Sequence, residues 1–196
     1  MLPPYILGLW CGDKYWRSSS VGLSNVSPVL INKFKEFFAQ YGFPTERIKL
    51  SVYLSKDNEC EVYETYGLLH KNVKTYSIKK AKKINYIIYV NSRDLKRRFE
   101  GEEKEVQNAI NNRDYLLKYI AGRTDADGYF DKRKLPRLRI AYTSKEEAEI
   151  DKELISKFCE MNADVKKYRN YFVLEMCGWV WKGFIDEIKN NCNIKT

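Results

Sequence analysis

The chain lacks the features of secreted and membrane-anchored proteins. The apolar run from Tyr5 to Cys11 is too short to cross a bilayer and has no basic leader, so we expect no membrane partner and no signal peptide. The five cysteines are an odd number without metal-ligand spacing, which favours reduced thiols in a prokaryotic cytoplasm or an organelle. His70 is the single histidine, and a lone histidine is more often structural or exposed than catalytic.

Positive charge and tyrosine are what the chain has in excess. It has 35 Lys and Arg against 26 Asp and Glu, a net charge of +9 and 15 tyrosines among 196 residues. A basic, aromatic-rich chain is often a nucleic-acid binder, but many basic proteins bind nothing specific, so composition alone leaves the two interpretations even. The length suits one large domain or two fused small ones.

Residues 119–128, YIAGRTDADG, end a helix in an unusual way. Apolar residues recur at helical spacing before this point, and a glycine suits the C-terminal stop. Gly122 and Ala126 are four residues apart, so one helix face has almost no side chain and a second backbone can approach it. Asp125 and Asp127 lie at the C-terminus, where the helix macrodipole disfavours negative charge. Acids in this position indicate a cation or a chemical task.

Residues 6–13, ILGLWCGD, repeat this pattern. Three pairs of positions align without a gap: Gly8 with Gly122, Gly12 with Ala126, and Asp13 with Asp127. Two helices with matching bare faces can pack along those faces, and their terminal acids would then emerge side by side. Close carboxylates repel unless a positive charge lies between them, and oxygen-only ligands favour a hard divalent cation such as Mg²⁺.

These residues carry a resemblance to a known family. AGRTDADG at residues 121–128 is similar to the LAGLIDADG motif of homing endonucleases, and residues 6–13 resemble a more degenerate first copy. Two copies imply the monomeric, intron-encoded type, with a first repeat at residues 1–108 and a second at residues 109–196. The resemblance implies a site-specific endonuclease that hydrolyses both strands of a long double-stranded DNA target across the minor groove.

The resemblance also implies which residues perform the chemistry. Asp13 and Asp127 would be the catalytic acids that bind Mg²⁺ or Mn²⁺, and the backbone carbonyls of Gly12 and Ala126 would be further ligands. Two metal sites that bracket a scissile phosphate can activate water and stabilise the leaving oxygen.

Patterns along the chain predict helix, two strands, helix, two strands, helix in each half. The first half is predicted to have a strand or tight hairpin at 15–25, a helix after Ser27-Pro28, strands at 47–55 and 84–90, a helix from Ser92 to Glu100, and a link at 101–113. The second is predicted to have a strand at 137–142, a capping box at Ser144, a hairpin around Arg169-Asn170 and a helix at 181–188. The resemblance implies the same α+β fold, two pseudo-symmetric αββαββα repeats packed through paired LAGLIDADG helices, with antiparallel sheets forming a DNA-binding saddle.

Alternating strands suggest which side chains contact DNA. The strands at 47–55 and 137–142 each have one apolar and one polar face. Solvent exposure is the simple explanation of a polar face, but the resemblance favours DNA contact, because a twisted ribbon fits the major groove. The candidate contacts are Lys14, Arg17, Lys49, Ser51, Tyr53, Lys80, Lys132, Arg133, Arg137 and Arg139.

Departures from the family pattern leave alternatives open. Lys14 follows Asp13 where the family usually has glycine, Cys11 replaces the first acid of the motif, and the strand positions near Asn25 and Tyr142 carry no lysine. Lys14 either weakens metal binding by neutralising the carboxylates or contacts the scissile phosphate. The alternatives are an intron RNA maturase of the same fold and a DNA-binding protein with impaired catalysis.

Overall fold

Both motif helices are present in the computed structural model, which describes residues 1–54, 73–78, 83–131 and 135–194. In these ranges the α-helices are α1 (Pro4–Asp13), α2 (Pro28–Gln40), α3 (Arg93–Lys104), α4 (Val106–Ala109), α5 (Arg113–Asp127), α6 (Lys145–Cys159) and α7 (Lys182–Asn191). The strands are β1 (Lys14–Arg17), β2 (Ser20–Asn25), β3 (Lys49–Leu54), β4 (Val73–Ser77), β5 (Asn85–Asn91), β6 (Gly128–Asp131), β7 (Arg137–Tyr142), β8 (Asp164–Tyr168) and β9 (Tyr171–Cys177). Short 3₁₀ turns occur at Thr45–Arg47 and Trp179–Trp181.

Contacts divide the chain into two units. The four-stranded unit consists of Met1–Gly12 and Phe99–Thr196, and the five-stranded unit consists of Asp13–Arg98. Nearly all of α1 therefore belongs with the second half of the sequence, since its bare face packs on α5. The two repeats at 1–108 and 109–196 describe sequence similarity and stay a prediction.

The five-stranded unit has the strand order β1-β2-β5-β3-β4. Of the two alternatives for 15–25 the hairpin is the one present, as β1 and β2, and the predicted strands at 47–55 and 84–90 are confirmed as β3 and β5. Helix α2 packs on β2 and β5 through an apolar stripe whose buried members are Leu30, Ile31, Phe34, Phe37 and Phe38. One face of this sheet is thereby covered, and the other is open.

Strand β4 is an element that the sequence patterns did not predict. It pairs in parallel with β3, whereas the other strand pairs of both sheets are antiparallel within the described residues. Four of its five residues are exposed, so it shows no apolar alternation by which a buried face could be recognised. The first half thus has one strand more than the predicted pattern.

The four-stranded unit has the strand order β6-β7-β9-β8. The predicted alternation of β7 is confirmed, because Leu138 and Ile140 are buried while Arg137 and Arg139 are not. Of the predicted capping box, the Ser144 N-cap is confirmed, since Ser144 Oγ accepts a hydrogen bond from the Glu147 backbone N–H at 3.4 Å, whereas the Glu147 carboxylate pairs with Arg123. Helices α5, α6 and α7 pack on the apolar face, and the other face is open.

The predicted link at 101–113 is partly helical, which the sequence patterns did not predict. Helix α3 continues to Lys104, and α4 follows after one residue. Val106, Ala109 and Ile110 are buried, so this polar-looking stretch is anchored by a few apolar side chains. Their small number hid the helical period in the sequence.

The second half follows the predicted order of elements, with α5, β6, β7, α6, β8, β9 and α7 in sequence. The first half follows it with β4 added. The protein is therefore a mixed α+β protein with two related halves, as predicted. Among the described residues, no helix is long and apolar enough to cross a membrane.

Candidate functional site

The close approach of α1 and α5 depends on glycine. A Cβ atom added to Gly8 would lie 2.0 Å from the Tyr119 carbonyl oxygen, and one added to Gly122 would lie 2.2 Å from the Tyr5 carbonyl oxygen and 2.6 Å from the Leu9 nitrogen. Any side chain at either glycine would force the two backbones apart. The predicted packing of the two bare faces is thus confirmed, in the register that the sequence alignment gave.

The same contact continues to the C-terminal ends of the helices. A Cβ atom added to Gly12 would lie 2.4 Å from the Ala126 Cβ and 3.1 Å from Asp127 Oδ2. The Asp127 carboxylate therefore lies against the backbone of Gly12, the residue immediately before Asp13. Burial raises the pKa of Asp127, nearby Arg123 lowers it, and Glu147 raises it further. A cation beside Asp127 would offset this cost of burying its charge.

Helix α5 also leaves a backbone oxygen available at this end. The Gly128 N–H closes the helix on the Thr124 carbonyl, so the Ala126 carbonyl has no acceptor role inside the helix. A carboxylate and a carbonyl together form the oxygen-only donor set that hard divalent cations prefer. Within the described ranges, no group of three or more His, Cys, Asp or Glu residues could hold a metal ion, so any metal here would need backbone oxygens or water.

Asp125, the other acid at the end of α5, has a structural role that sequence patterns did not predict. Its carboxylate accepts hydrogen bonds from the Tyr5 hydroxyl at 2.6 Å and from the backbone N–H groups of Asn193 at 2.6 Å and Ile194 at 3.2 Å. Burial and the bond to Asp125 raise the pKa of Tyr5. Asp125 therefore fastens α1 and the C-terminal segment to α5, and only Asp127 is left as the candidate carboxylate ligand of this motif.

Asp13 is held by a strand residue in the five-stranded unit. Asn25 Nδ2 donates a hydrogen bond to Asp13 Oδ2, and Asn25 Oδ1 accepts one from the Ser27 backbone N–H at 2.6 Å. Because the Ser27 N–H can only donate, the amide oxygen of Asn25 must face it and the amide nitrogen must face Asp13. The strand position that lacks the family's lysine thus supplies a fixed neutral donor instead.

The corresponding region of the four-stranded unit is ionic and buried. Arg123 is 3% exposed and lies one helical turn before Asp127. Its Nε is 3.2 Å from Asp151 Oδ2, its Nη2 is 3.2 Å from Glu147 Oε2, and its guanidinium lies 4.4 Å from the Tyr142 ring centroid. This buried ion pair was missed from the sequence, although an arginine between small and apolar residues on the motif helix was a signal for it.

Two tyrosines complete the buried cluster around Asp151. The hydroxyl of Tyr119 donates to Asp151 Oδ1 at 3.0 Å, and that of Tyr142 donates to Oδ2 at 2.7 Å. Burial raises the pKa of Asp151 despite the opposing effects of Arg123 and these hydrogen bonds. Buried charges need such complete pairing, so the cluster fixes the position of Arg123 behind Asp127.

Four of the candidate DNA contacts of the first half, Arg17, Lys49, Ser51 and Tyr53, lie on the open face of the five-stranded sheet. Arg17 and Lys49 are exposed and approach the rings of Tyr15 and Tyr89 at 6.0 and 5.9 Å. Two others lie further along this face: Tyr53, which stacks on Tyr76 at 5.0 Å, and Ser51, which is only 6% exposed because neighbouring strands cover it. Lys14, directly after Asp13, is half-buried and pairs with buried Leu23, so it lies on the side of the sheet that α2 covers and not on the open face.

The candidate DNA contacts of the second half lie on the open face of the four-stranded sheet. Arg137 and Arg139 are there as predicted, with side chains 24% and 33% exposed. Both are paired with Glu175. Three further candidates, Lys80, Lys132 and Arg133, lie outside the described residues.

Comparison with known proteins identifies the fold. No family model matches the chain, and no curated protein matches its sequence significantly. The N-terminal LAGLIDADG domain of DUF199/WhiA is similar, with a TM-score of 0.62 and 14% identity over 95% of this chain and 80% of that chain. Full-length DUF199/WhiA from Thermatoga maritima has a TM-score of 0.60 and 14% identity over 95% of this chain and 54% of that chain.

The homing endonuclease I-DmoI is similar over a larger share of its own length. Its complex with DNA and Mn has a TM-score of 0.60 and 18% identity over 95% of both chains. Other I-DmoI complexes with DNA contain Mg or Ca. At such identities the likeness shows the two-repeat LAGLIDADG fold, and one fold supports more than one function.

Proposed function

We propose that this chain is a site-specific, divalent-metal-dependent DNA endonuclease of the homing type. The observation that carries the proposal is the contact between α1 and α5, where Asp127 lies against the backbone of Gly12 and Asp13 follows in the chain. Two acids at the C-terminal ends of paired glycine-faced helices, Asp13 half-buried and Asp127 exposed, are unfavourable unless they bind a cation. The likeness to I-DmoI, in complexes with DNA and Mn, Mg or Ca, supports the same assignment.

Each residue of the proposed site has a distinct task. Asp13 and Asp127 bind the metal ions, and the carbonyls of Gly12 and Ala126 add backbone oxygens. Bound Mg²⁺ or Mn²⁺ would lower the pKa of a water and stabilise charge on the leaving oxygen of the phosphodiester. Asn25 holds Asp13 in one orientation through its fixed amide.

The proposed partner is double-stranded DNA, bound by the chain as a monomer. The open face of each sheet presents basic side chains, among them Lys49 and Arg139, and a two-stranded ribbon fits the major groove. Lys14 follows Asp13 in the chain, and in this proposal its ammonium group contacts a phosphate near the metal ions. The net charge of +9 favours phosphate binding over the whole chain.

Cleavage of a random duplex DNA library with Mg²⁺ tests the proposal. Wild type should cut a small set of sequences, and Asp127→Asn and Asp13→Asn should each lower the rate at least about 100-fold, because each loses several kcal/mol of metal-mediated stabilisation. Asp114→Asn is the matched control, since Asp114 lies on the same helix α5 with its side chain 64% exposed and should leave cleavage unchanged. Chelation by EDTA should stop cleavage by every variant.

A protein that binds particular duplexes but never cuts them, even with Mn²⁺, would contradict the proposal. The DNA-binding alternative without catalysis would then stand, and Lys14 would be the first residue to examine. The Lys14→Gly variant, which restores the residue usual in the family, should regain cleavage if Lys14 blocks metal binding.

One observation favours the RNA maturase as a second candidate. Four tyrosines lie on the open face of the five-stranded sheet: Tyr15, Tyr53, Tyr76 and Tyr89. Aromatic rings on an open sheet suit the stacking of unpaired RNA bases. Splicing of an intron RNA in the presence of the protein, unaffected by Asp127→Asn, would support this function.

A further inference from the structure

The polar face of the four-stranded sheet is organised around one carboxylate. Glu175 on β9 lies opposite Arg139 on β7 and Asp164 on β8. It is 5% exposed although it lies on the open face, because longer basic side chains cover it. The two other basic residues beside it are Arg137 and Lys166.

Three cations share the two oxygens of this carboxylate. Arg139 Nε donates to Glu175 Oε1 at 2.7 Å, and Lys166 Nζ donates to Oε2. Arg137 Nε lies 3.5 Å from Oε1, and its Nη1 lies 3.6 Å from Asp131. Burial disfavours the charge of Glu175, but the hydrogen bonds from Lys166 and Arg139 outweigh it and hold the pKa of this carboxyl below its usual value.

An acid in the middle of this face is unfavourable for simple phosphate binding. It repels phosphate and neutralises basic side chains that would otherwise bind it. Cross-strand ion pairs do stabilise sheets, but only modestly where the cations are exposed, and the Lys166 side chain is 46% exposed. The contribution to stability is therefore a weak reason for a carboxylate that is almost fully buried.

The donor atom that Arg139 uses gives a stronger reason. Its bond to Glu175 is made through Nε, and its terminal nitrogens have no partner among the described residues. A guanidinium held in this way presents two parallel N–H groups as a rigid fork. That fork matches the O6 and N7 acceptors of guanine in the major groove.

We infer that Glu175 determines sequence specificity on the proposed DNA-binding face, by holding Arg139 for bidentate contact with a guanine. The inference rests on the proposed function, because it requires duplex DNA as the partner. Glu175 acts as a positioning residue, since it orients Arg139 and does not itself contact the base.

Glu175 has a second effect in the same direction. Because Glu175 pairs with Arg137 and Lys166, these two cations are less available to bind phosphate groups. Specific binding keeps these pairs intact, whereas binding to arbitrary sequence depends on phosphate contacts alone. Loss of Glu175 should therefore weaken base discrimination and strengthen non-specific binding at once.

The test compares wild type with Glu175→Gln on a pool of random-sequence duplexes in EDTA, where cleavage cannot occur. Bound duplexes are sequenced, and affinity for the unselected pool is titrated over a range of KCl. In Glu175→Gln the preference for guanine over the other bases, at one position of the bound sequences, should fall about 10-fold. This variant should also bind the pool more tightly, with a log–log salt slope steeper by about one.

Two further variants separate this effect from charge and folding. Glu146→Gln removes the same charge from an exposed position of α6 and should change neither the preference nor the slope. Arg139→Lys keeps the charge but loses the fork, so it should lose preference at the same guanine with an unchanged slope. It tests the inference even if Glu175→Gln folds poorly, which thermal unfolding would reveal.

The outcomes distinguish the inference from the proposed function. If wild type enriches particular sequences and neither Glu175→Gln nor Arg139→Lys changes the enriched guanine, the inference is overturned and the proposed function stands. If wild type binds no duplex in any KCl concentration, the proposed function fails and the inference fails with it.

Discussion

The open faces of the two sheets use different chemistry on the same order of elements. In the five-stranded unit the face is lined by tyrosines, and Lys49 and Arg17 approach their rings. In the four-stranded unit the face is lined by arginine and lysine paired with Glu175. Rings present flat, uncharged surface, whereas guanidinium groups present directed donors, so the two faces are suited to different kinds of contact.

The interiors of the two units also differ, since charged side chains are buried in one where apolar side chains are buried in the other. Where the second motif has buried Arg123, the aligned position of the first motif is Leu9, which is 0% exposed. Counting from the two capping serines, Ser27 and Ser144, Phe34 corresponds to Asp151. One half thus places an ion pair where the other has apolar side chains, whereas the glycine faces and terminal acids are common to both motifs.

The largest expected effect comes from breaking the buried ion pair. Arg123→Met leaves Asp151 buried without its cation and should lower the free energy of unfolding by about 3–5 kcal/mol. The double variant Arg123→Met/Asp151→Leu should recover part of this loss, because it imitates the apolar first half, but Tyr119 and Tyr142 lose their acceptor. Urea unfolding followed by circular dichroism measures both.

An exposed pair on the same helix is the control. Lys118 and Asp114 form an ion pair at 2.7 Å with side chains 45% and 64% exposed. Lys118→Met should change the free energy of unfolding by less than about 1 kcal/mol. If the double variant is as unstable as Arg123→Met, the lost hydrogen bonds of the Tyr119 and Tyr142 hydroxyls, and not the ion pair, account for the difference between the two halves.

The next effect tests what the halves have in common. Gly122→Ala would place a methyl group 2.2 Å from the Tyr5 carbonyl oxygen, so it should lower the free energy of unfolding by about 1–3 kcal/mol. Gly101→Ala on α3 meets nothing within 4 Å and should raise it by about 0.5–1 kcal/mol. Equal effects of the two substitutions in thermal unfolding would contradict the role assigned to the glycine face.

Local patterns predicted the fold well because each one has a direct physical cause. The glycine spacing, the Ser144 N-cap and the alternation of β7 act within one element, and all three are confirmed. Strand β4 was missed because it is exposed, and it owes its place to pairing with β3.

The site was only partly predictable, because its partners come from distant parts of the chain. Nothing near Asp125 in the sequence shows that it would accept hydrogen bonds from Tyr5 and Asn193. The pairing of Arg139 with Glu175 joins residues 36 positions apart. The sequence patterns identified the acidic and basic residues, but only the fold shows which groups these residues contact.

A smaller effect should appear in the pH dependence of stability. The pKa of Glu175 is lowered in the folded protein, so its contribution to stability is present above the pKa of an unfolded glutamate and is lost as pH falls through the folded pKa. Wild type should therefore lose more stability on acidification than Glu175→Gln. Urea unfolding of both proteins from neutral to acidic pH measures the difference. If the free energies of unfolding of the two proteins change in parallel with pH, Glu175 does not contribute to stability in the way described.

The smallest effect should come from Lys49, the cation on the tyrosine face. Its contact with the Tyr89 ring is long and exposed, so Lys49→Met should leave stability within about 0.5 kcal/mol of wild type. As a phosphate contact it should weaken duplex binding equally for all sequences and make the salt slope shallower by about one. Lys33→Met removes the same charge from α2, on the covered side of the sheet, and should leave the slope unchanged. A loss of base preference in Lys49→Met would mean that the tyrosine face also reads sequence. The two faces would then differ in their side chains but not in their role in recognising DNA.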